Sequence, residues 1–148
     1  MNIKILIVSS NYYQEVSDNL IEGSTNYLKE NNFEYEIVYS PGCFEIPFLI
    51  NKYINDYVGF ISLGCVIRGE TYHFEMIANE VSRKIMDLSI QSNKPIGFGV
   101  IACENMEQAK ARSEFNEDFT RTKKGFIQAK NKNKGLEAAV VVINNINL

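Results

Sequence analysis

Short apolar runs alternate along the chain with longer stretches in which apolar residues recur every three or four positions. This is the pattern of repeated strand–helix units around a mostly parallel sheet. Strands are predicted near Ile3–Ser9, Glu34–Ser40, Tyr57–Cys65 and Ile96–Ala102. Each is apolar over most of its length, as expected of strands covered by helices on both faces. Between the first two, Val16, Leu20, Ser24 and Leu28 recur at four-residue spacing, widened by Ile21 and Tyr27, and predict a first helix. After Pro41–Gly42, the residues Phe44, Phe48, Leu49, Tyr53 and Ile54 predict a second helix with one face on the sheet. Pro47 fits only its first turn, because proline has no amide proton for later turns. Phe74, Ile77, Ala78, Val81, Ile85 and Leu88 mark a third helix, with Thr71 as its N-cap and an end before Pro95.

The remainder is less regular. Met106–Ala111 is helical in pattern, while Ser113–Asn133 is polar, charged and weakly periodic, compatible with helix extended into solvent or with loop. In Gly135–Leu148, Leu136, Ala139, Val140, Ile143 and Ile146 fall in helical register, yet Val140–Ile143 taken alone favours a strand. The local pattern leaves both open.

Composition narrows the function classes. A chain of 148 residues, 45% apolar, is sized for one compact domain. Its net charge of −3 argues against nucleic-acid binding, which needs a basic face to displace counterions. Arg121, Lys123, Lys124, Lys130, Lys132 and Lys134 do cluster, but Glu114, Glu117 and Asp118 precede them, the mixture of a solvated face. Cys43, Cys65 and Cys103 are odd in number, far apart and not in a C-x-x-C pair, which disfavours disulfide or metal use. No leader pattern and no bilayer-spanning apolar run is read, so the expected setting is a reducing cytoplasm, away from membranes.

Candidate chemistry concentrates in Leu63–Phe74, LGCVIRGETYHF, which reads as strand exit, turn and helix start. His73, the sole histidine, stands where strand ends and helix N-termini converge in parallel α/β sheets. Gly69, Glu70 and Thr71 either cradle a phosphate with backbone N–H groups and a hydroxyl, or form an ordinary capped turn. Arg68 is suited equally to the same anion or to a carboxylate. In PGCFEIP at 41–47, Phe44 is either a stacking surface for a planar ring or a core anchor, and Tyr12 and Tyr13 extend the same aromatic wall.

Four blocks, PGCFEIP at 41–47, LGCVIRGETYHFE at 63–75, FGVIACENMEQAKAR at 98–112 and NKGLEAA at 133–139, strongly resemble the 6,7-dimethyl-8-ribityllumazine synthase family. The resemblance covers nearly the whole chain. It implies a flavodoxin-like three-layer α/β/α sandwich with a central four-stranded parallel sheet, and a helical tail. It implies condensation of 5-amino-6-ribitylaminouracil with 3,4-dihydroxy-2-butanone 4-phosphate, losing phosphate and water, in the penultimate step of riboflavin synthesis. No metal or organic cofactor is implied. By motif position, His73 corresponds to the general acid/base. Gly69, Glu70 and Thr71 correspond to the phosphate turn, and Arg112 to the arginine that clamps phosphate bidentately. Tyr12, Phe44, Glu45, Cys65 and Val66 correspond to the pyrimidine and ribityl pocket. Phe98 and Lys134 correspond to residues supplied by a neighbouring subunit, so the resemblance implies a homo-oligomer with active sites between protomers.

The chain also departs from the family pattern. Asn11 and Tyr13 replace the usual residues around the stacking aromatic, Cys65 stands where threonine is common, and Ala102–Cys103 replace a frequent Thr–Thr. These motivate an alternative, a catalytically silent relative that binds flavin or lumazine. A flavodoxin-type electron carrier ranks last, because Ser9-Ser10-Asn11-Tyr12 lacks a glycine-containing phosphate loop. The 21 residues between Arg112 and Lys134 exceed the family's short connection. That points to an inserted segment at about 113–132 between the last two helices, and to a pentamer or stacked decamer rather than a sixty-subunit shell.

Overall fold

The computed structural model describes residues 4–115 and 133–148, and strands and helices alternate through them. β1 (Ile5–Ser10) is followed by α1 (Gln14–Glu30), β2 (Tyr35–Ser40), a single 3₁₀ turn at Cys43–Glu45 and α2 (Ile46–Lys52). Then come β3 (Gly59–Ile67), α3 (His73–Ser92), β4 (Ile96–Cys103), α4 (Met106–Ser113) and α5 (Lys134–Ile146). The strands form one parallel sheet in the order β2-β1-β3-β4.

Successive side chains of a strand enter opposite faces, and here each face has its own core. Ile5 and Ile7 of β1 pack with Leu20 and Leu28 of α1 and with Ala139 and Val142 of α5. Leu6 and Val8, their alternates, pack with Ile46 and Ile50 of α2 and with Val81 and Ile85 of α3. β1 and β3 are therefore buried at nearly every position, and mostly apolar, because helices cover them on both sides. The result is a three-layer, flavodoxin-like α/β/α sandwich, the fold class expected. Gly135 lets α5 lie against α1, since a Cβ there would overlap the Leu20 carbonyl. Asn133, fully buried, accepts from the Leu136 amide at 2.9 Å and donates to the Ser113 carbonyl at 2.9 Å. It also donates to the Asn19 carbonyl at 3.1 Å, so one side chain joins the end of α4, the start of α5 and the body of α1.

The expected strands all form, with small shifts at their ends; β3 extends past Cys65 to Ile67 and pairs with β4 as far as Cys103. The tail is helical, with Val140, Val142 and Ile143 buried and Val141 turned outward. Pro47 does lie in the first turn of α2. Two expectations are corrected. Phe44 and Phe48 do not pack on the sheet: they are 60% and 67% exposed, and Ile46, Pro47 and Ile50 are buried instead. The 3₁₀ turn before this seven-residue helix resets its register, so the face predicted from Phe44 is rotated outward. Thr71 is not the N-cap of α3 either. Tyr72 holds that position, and the Thr71 hydroxyl accepts the His73 amide at 3.3 Å from one residue further out. α3 ends at Asn93 in the left-handed region, φ 58°, two residues before Pro95. The inserted segment at about 113–132 falls, beyond residue 115, outside the described residues, and so does most of the basic cluster.

Candidate active site

The strand order creates the site. From β1 the chain moves outward to β2, then crosses to β3 on the other side, so the C-terminal ends of β1 and β3 flank a topological switch point. A cleft of about 580 Å³ opens there. β1 delivers Ser10 to it, followed by Tyr12 and Tyr13 before α1 begins. Tyr12 is 73% exposed and meets Tyr13 edge to face, ring centroids 4.9 Å apart at 79°. A second wall is the 3₁₀ turn with Cys43, Phe44 and Glu45. This turn approaches β3 closely because Gly64 lacks a side chain; a Cβ there would stand 2.6 Å from the Cys43 sulfur. The Cys43 thiol donates to the Cys65 carbonyl at 3.7 Å, and Cys65, Val66 and Ile67 form the floor. His73 and Met76, one turn apart on α3, close the remaining side.

Beside His73 runs the turn from β3 to α3. Gly69, Glu70 and Thr71 are exposed, and a Cβ at Gly69 would meet nothing within 4 Å. The side chain of Tyr72 caps no amide, so the head of the 20-residue α3 offers N–H donors and the Thr71 hydroxyl to an anion. Arg68 resolves the choice left open by its sequence: it pairs with carboxylates, Glu75 and Glu104.

One chain assembles only part of the expected site. Tyr12, Phe44, Glu45, Cys65, Val66 and His73 line a single cleft, with Gly69–Thr71 on the segment joining its floor to His73. Arg112, Phe98 and Lys134 do not line it. Arg112 sits in the last turn of α4, where its charge acts on the Cys103 thiol, itself coupled to Cys65 in the floor. Phe98, on edge strand β4, lines a second hollow of about 710 Å³ with Met86, Ile90 and Val141. Lys134 opens α5 and pairs with Glu137 at 2.7 Å. Met76 and Cys43 line the cleft without having been singled out. Met76 had a usable signal, lying three residues after His73 on the same helix face.

The family's sequence pattern matches residues 2–148, under the description 6,7-dimethyl-8-ribityllumazine synthase. The chain belongs to the 6,7-dimethyl-8-ribityllumazine synthase family. Relatives bearing that name include the Bartonella bacilliformis protein, 41% identical over 121 residues that span 79% of this chain and 80% of that one. The Agrobacterium fabrum protein is 43% identical over 115 residues, 73% of this chain and 78% of its own. For Bartonella henselae the figures are 43% over 129 residues, 84% and 81%.

For a lumazine synthase family member, the electrostatics of the floor are informative. Burial pushes the Cys43 thiol up to about 11 and that of Cys65 to about 12. Burial, reinforced by Cys65, also raises the phenol of Tyr13. These groups stay protonated near neutrality, so the floor is polar without being charged or nucleophilic. His73 supplies the imidazole that lines this cleft.

Proposed function

We propose that this cleft is where the chain carries out its family's reaction, the condensation of 5-amino-6-ribitylaminouracil with 3,4-dihydroxy-2-butanone 4-phosphate to 6,7-dimethyl-8-ribityllumazine. The observation that carries the reading is the convergence of His73, the aromatic walls of Tyr12 and Phe44, and the exposed Gly69–Thr71 turn at one switch point. The pyrimidine lies between the aromatic walls over Val66 and Cys65, with Glu45 accepting hydrogen bonds from ribityl hydroxyls. The phosphate sits on the Gly69-Glu70-Thr71 turn, clamped by the Arg112 fork. The pyrimidine amine adds to the butanone carbonyl and water leaves as the imine forms. Loss of the C3 proton then expels phosphate from C4, the enol so formed tautomerises to a methyl ketone, and attack of the second nitrogen on that new carbonyl closes the ring with loss of water. His73 relays protons in these steps, and the turn and Arg112 stabilise the departing dianion.

The site is completed by a neighbouring protomer, which contributes Phe98 and Lys134; their position outside the cleft of their own chain supports this reading. The long connection between Arg112 and Lys134 supports a pentamer, or a stacked decamer, over a sixty-subunit shell. The setting is the cytoplasm: Cys43, Cys65 and Cys103 are free and buried, and no helix among the described residues is long and apolar enough to cross a membrane. Product absorbance from the two substrates tests the assignment. Arg112→Ala should raise KM for the phosphorylated substrate roughly 100-fold, the scale of losing two charge-assisted hydrogen bonds, with a smaller effect on the pyrimidine. His73→Ala should lower kcat by a smaller factor, because water can replace a relay. Unchanged turnover in both variants would refute the mechanism, and sixty-subunit particles on sedimentation would refute the assembly.

A further inference from the structure

We infer that Arg68 is a positioning residue of the phosphate subsite: its guanidinium neutralises two carboxylates that would otherwise repel the bound dianion, and ties three chain segments around it. The inference rests on the reading of Gly69–Thr71 as the phosphate turn. Arg68 immediately precedes that turn, and its own amide donates to the Cys103 carbonyl at 2.9 Å, fixing the end of β3 to the end of β4. Its Nε donates to Glu104 at 2.8 Å and its terminal nitrogen to Glu75. The guanidinium plane lies over Phe74, 4.6 Å from the ring centroid.

The two carboxylates come from different places. Glu75 is in the first turn of α3, two residues past His73, and Glu104 follows β4 in the loop that starts α4. That loop is held by Glu104 and Gln108, whose main chain and side chain bond at 2.7 Å, and α4 carries Arg112 in its last turn. A phosphate ester arriving at the turn therefore meets two carboxylates on adjoining segments. Arg68 satisfies both with one planar fork, so its donors are directed to protein rather than to ligand. As stabilising surface pairs these contacts are weak, with both partners partly in water. Their consequence is local: at the short range of a bound dianion, removing one positive charge uncovers two negative ones.

The test is a charge-compensation series, read as KM for each substrate and as inhibition by inorganic phosphate. Arg68→Gln should raise KM for 3,4-dihydroxy-2-butanone 4-phosphate and the inhibition constant of phosphate about tenfold, leaving the pyrimidine KM within about twofold. Arg68→Gln combined with Glu75→Gln and Glu104→Gln should recover most of that loss, and Arg68→Lys should fall between Arg68→Gln and the native protein. A brace with no electrostatic role and a direct phosphate ligand both predict no recovery in the triple variant, because the guanidinium is still missing there. That result overturns the inference. Thr71→Ala and Arg112→Ala separate it from the underlying reading. If both leave the phosphorylated substrate's KM unchanged, the phosphate turn itself is misassigned; if both raise it while Arg68→Gln does not, only the role of Arg68 fails.

Discussion

Two concavities among the described residues differ more in what they offer than in size. The hollow between α3, the β4 edge and α5 is the larger, yet the one titratable group among the described residues lining it is Lys94. Its ammonium is already bonded to the carbonyls of Ile54 and Tyr57. The other lining residues carry no charge: Ser82, Ser89, Asn93 and Asn145 stand among apolar side chains of which Met86, Ile90, Phe98 and Val141 are exposed. The smaller cleft gathers an imidazole, a carboxylate, two tyrosines and an exposed phenylalanine where strand order reverses. Chemistry follows convergent polar groups at a switch point, whereas an exposed apolar face beside an unpaired strand edge is what a neighbouring subunit covers. Under the proposed assembly, the hollow completes the cleft of another protomer.

The sharpest way to break that contrast is Ile90→Glu. Ile90 is 71% exposed, so in an isolated chain a carboxylate there should change stability by only about 0.5 kcal/mol. Covered by a neighbour it becomes a buried charge, which costs several kcal/mol per ion. Native mass should fall to that of one chain and product formation should disappear, while the helical circular dichroism of the protomer persists. An active, fully assembled Ile90→Glu protein would show that this face is merely solvent-exposed and that each cleft works alone.

A smaller effect is expected within the cleft. Phe44 is 60% exposed and makes a wall rather than a core contact, so its value should appear in binding rather than folding. Phe44→Ala should raise the pyrimidine KM roughly tenfold, equivalent to about 1.4 kcal/mol of lost stacking, and leave the phosphorylated substrate's KM nearly unchanged. Thermal stability should move little. A large fall in melting temperature with intact KM would return Phe44 to the core-anchor role that sequence also allowed.

How far such contrasts can be read from sequence depends on the range of the forces involved. The sheet and its helices were legible because the unbroken apolar run of β1 and the register of α3 are imposed by burial, which acts on every residue of an element. The outward rotation of Phe44 and Phe48 was not, since it follows from a three-residue 3₁₀ turn that no periodicity records. For the same reason the cap of α3 was placed one position early, at Thr71 instead of Tyr72: the turn is one residue longer than the pattern suggests. His73 stood out as the sole histidine, but pairing Arg68 with Glu104 required knowing that β3 and β4 are neighbours, 36 residues apart in sequence. Tail helix against tail strand was a balance of local preferences, decided by Gly135 and Asn133 locking α5 onto α1.

The smallest difference between the two regions lies in the thiols under the cleft, and it appears only in alkali. Below the ordinary thiol range near pH 9, folded and unfolded chains hold the same thiol protons, so Cys65 gives stability no pH dependence. Above it the unfolded chain loses a proton that the folded chain keeps until about 12. The unfolded state then binds fewer protons, and stability must fall as pH rises, by at most about 1.4 kcal/mol per pH unit for one group. Cys65→Ser should therefore have a shallower decline of the urea midpoint between pH 8.5 and 10.5 than the native protein, each at roughly these values. The two should be parallel near neutrality, with the pyrimidine KM barely altered because a hydroxyl replaces a thiol that is protonated throughout. Identical slopes across that range would mean that Cys65 is hydrated in the folded protein, and that the cleft floor is open to water.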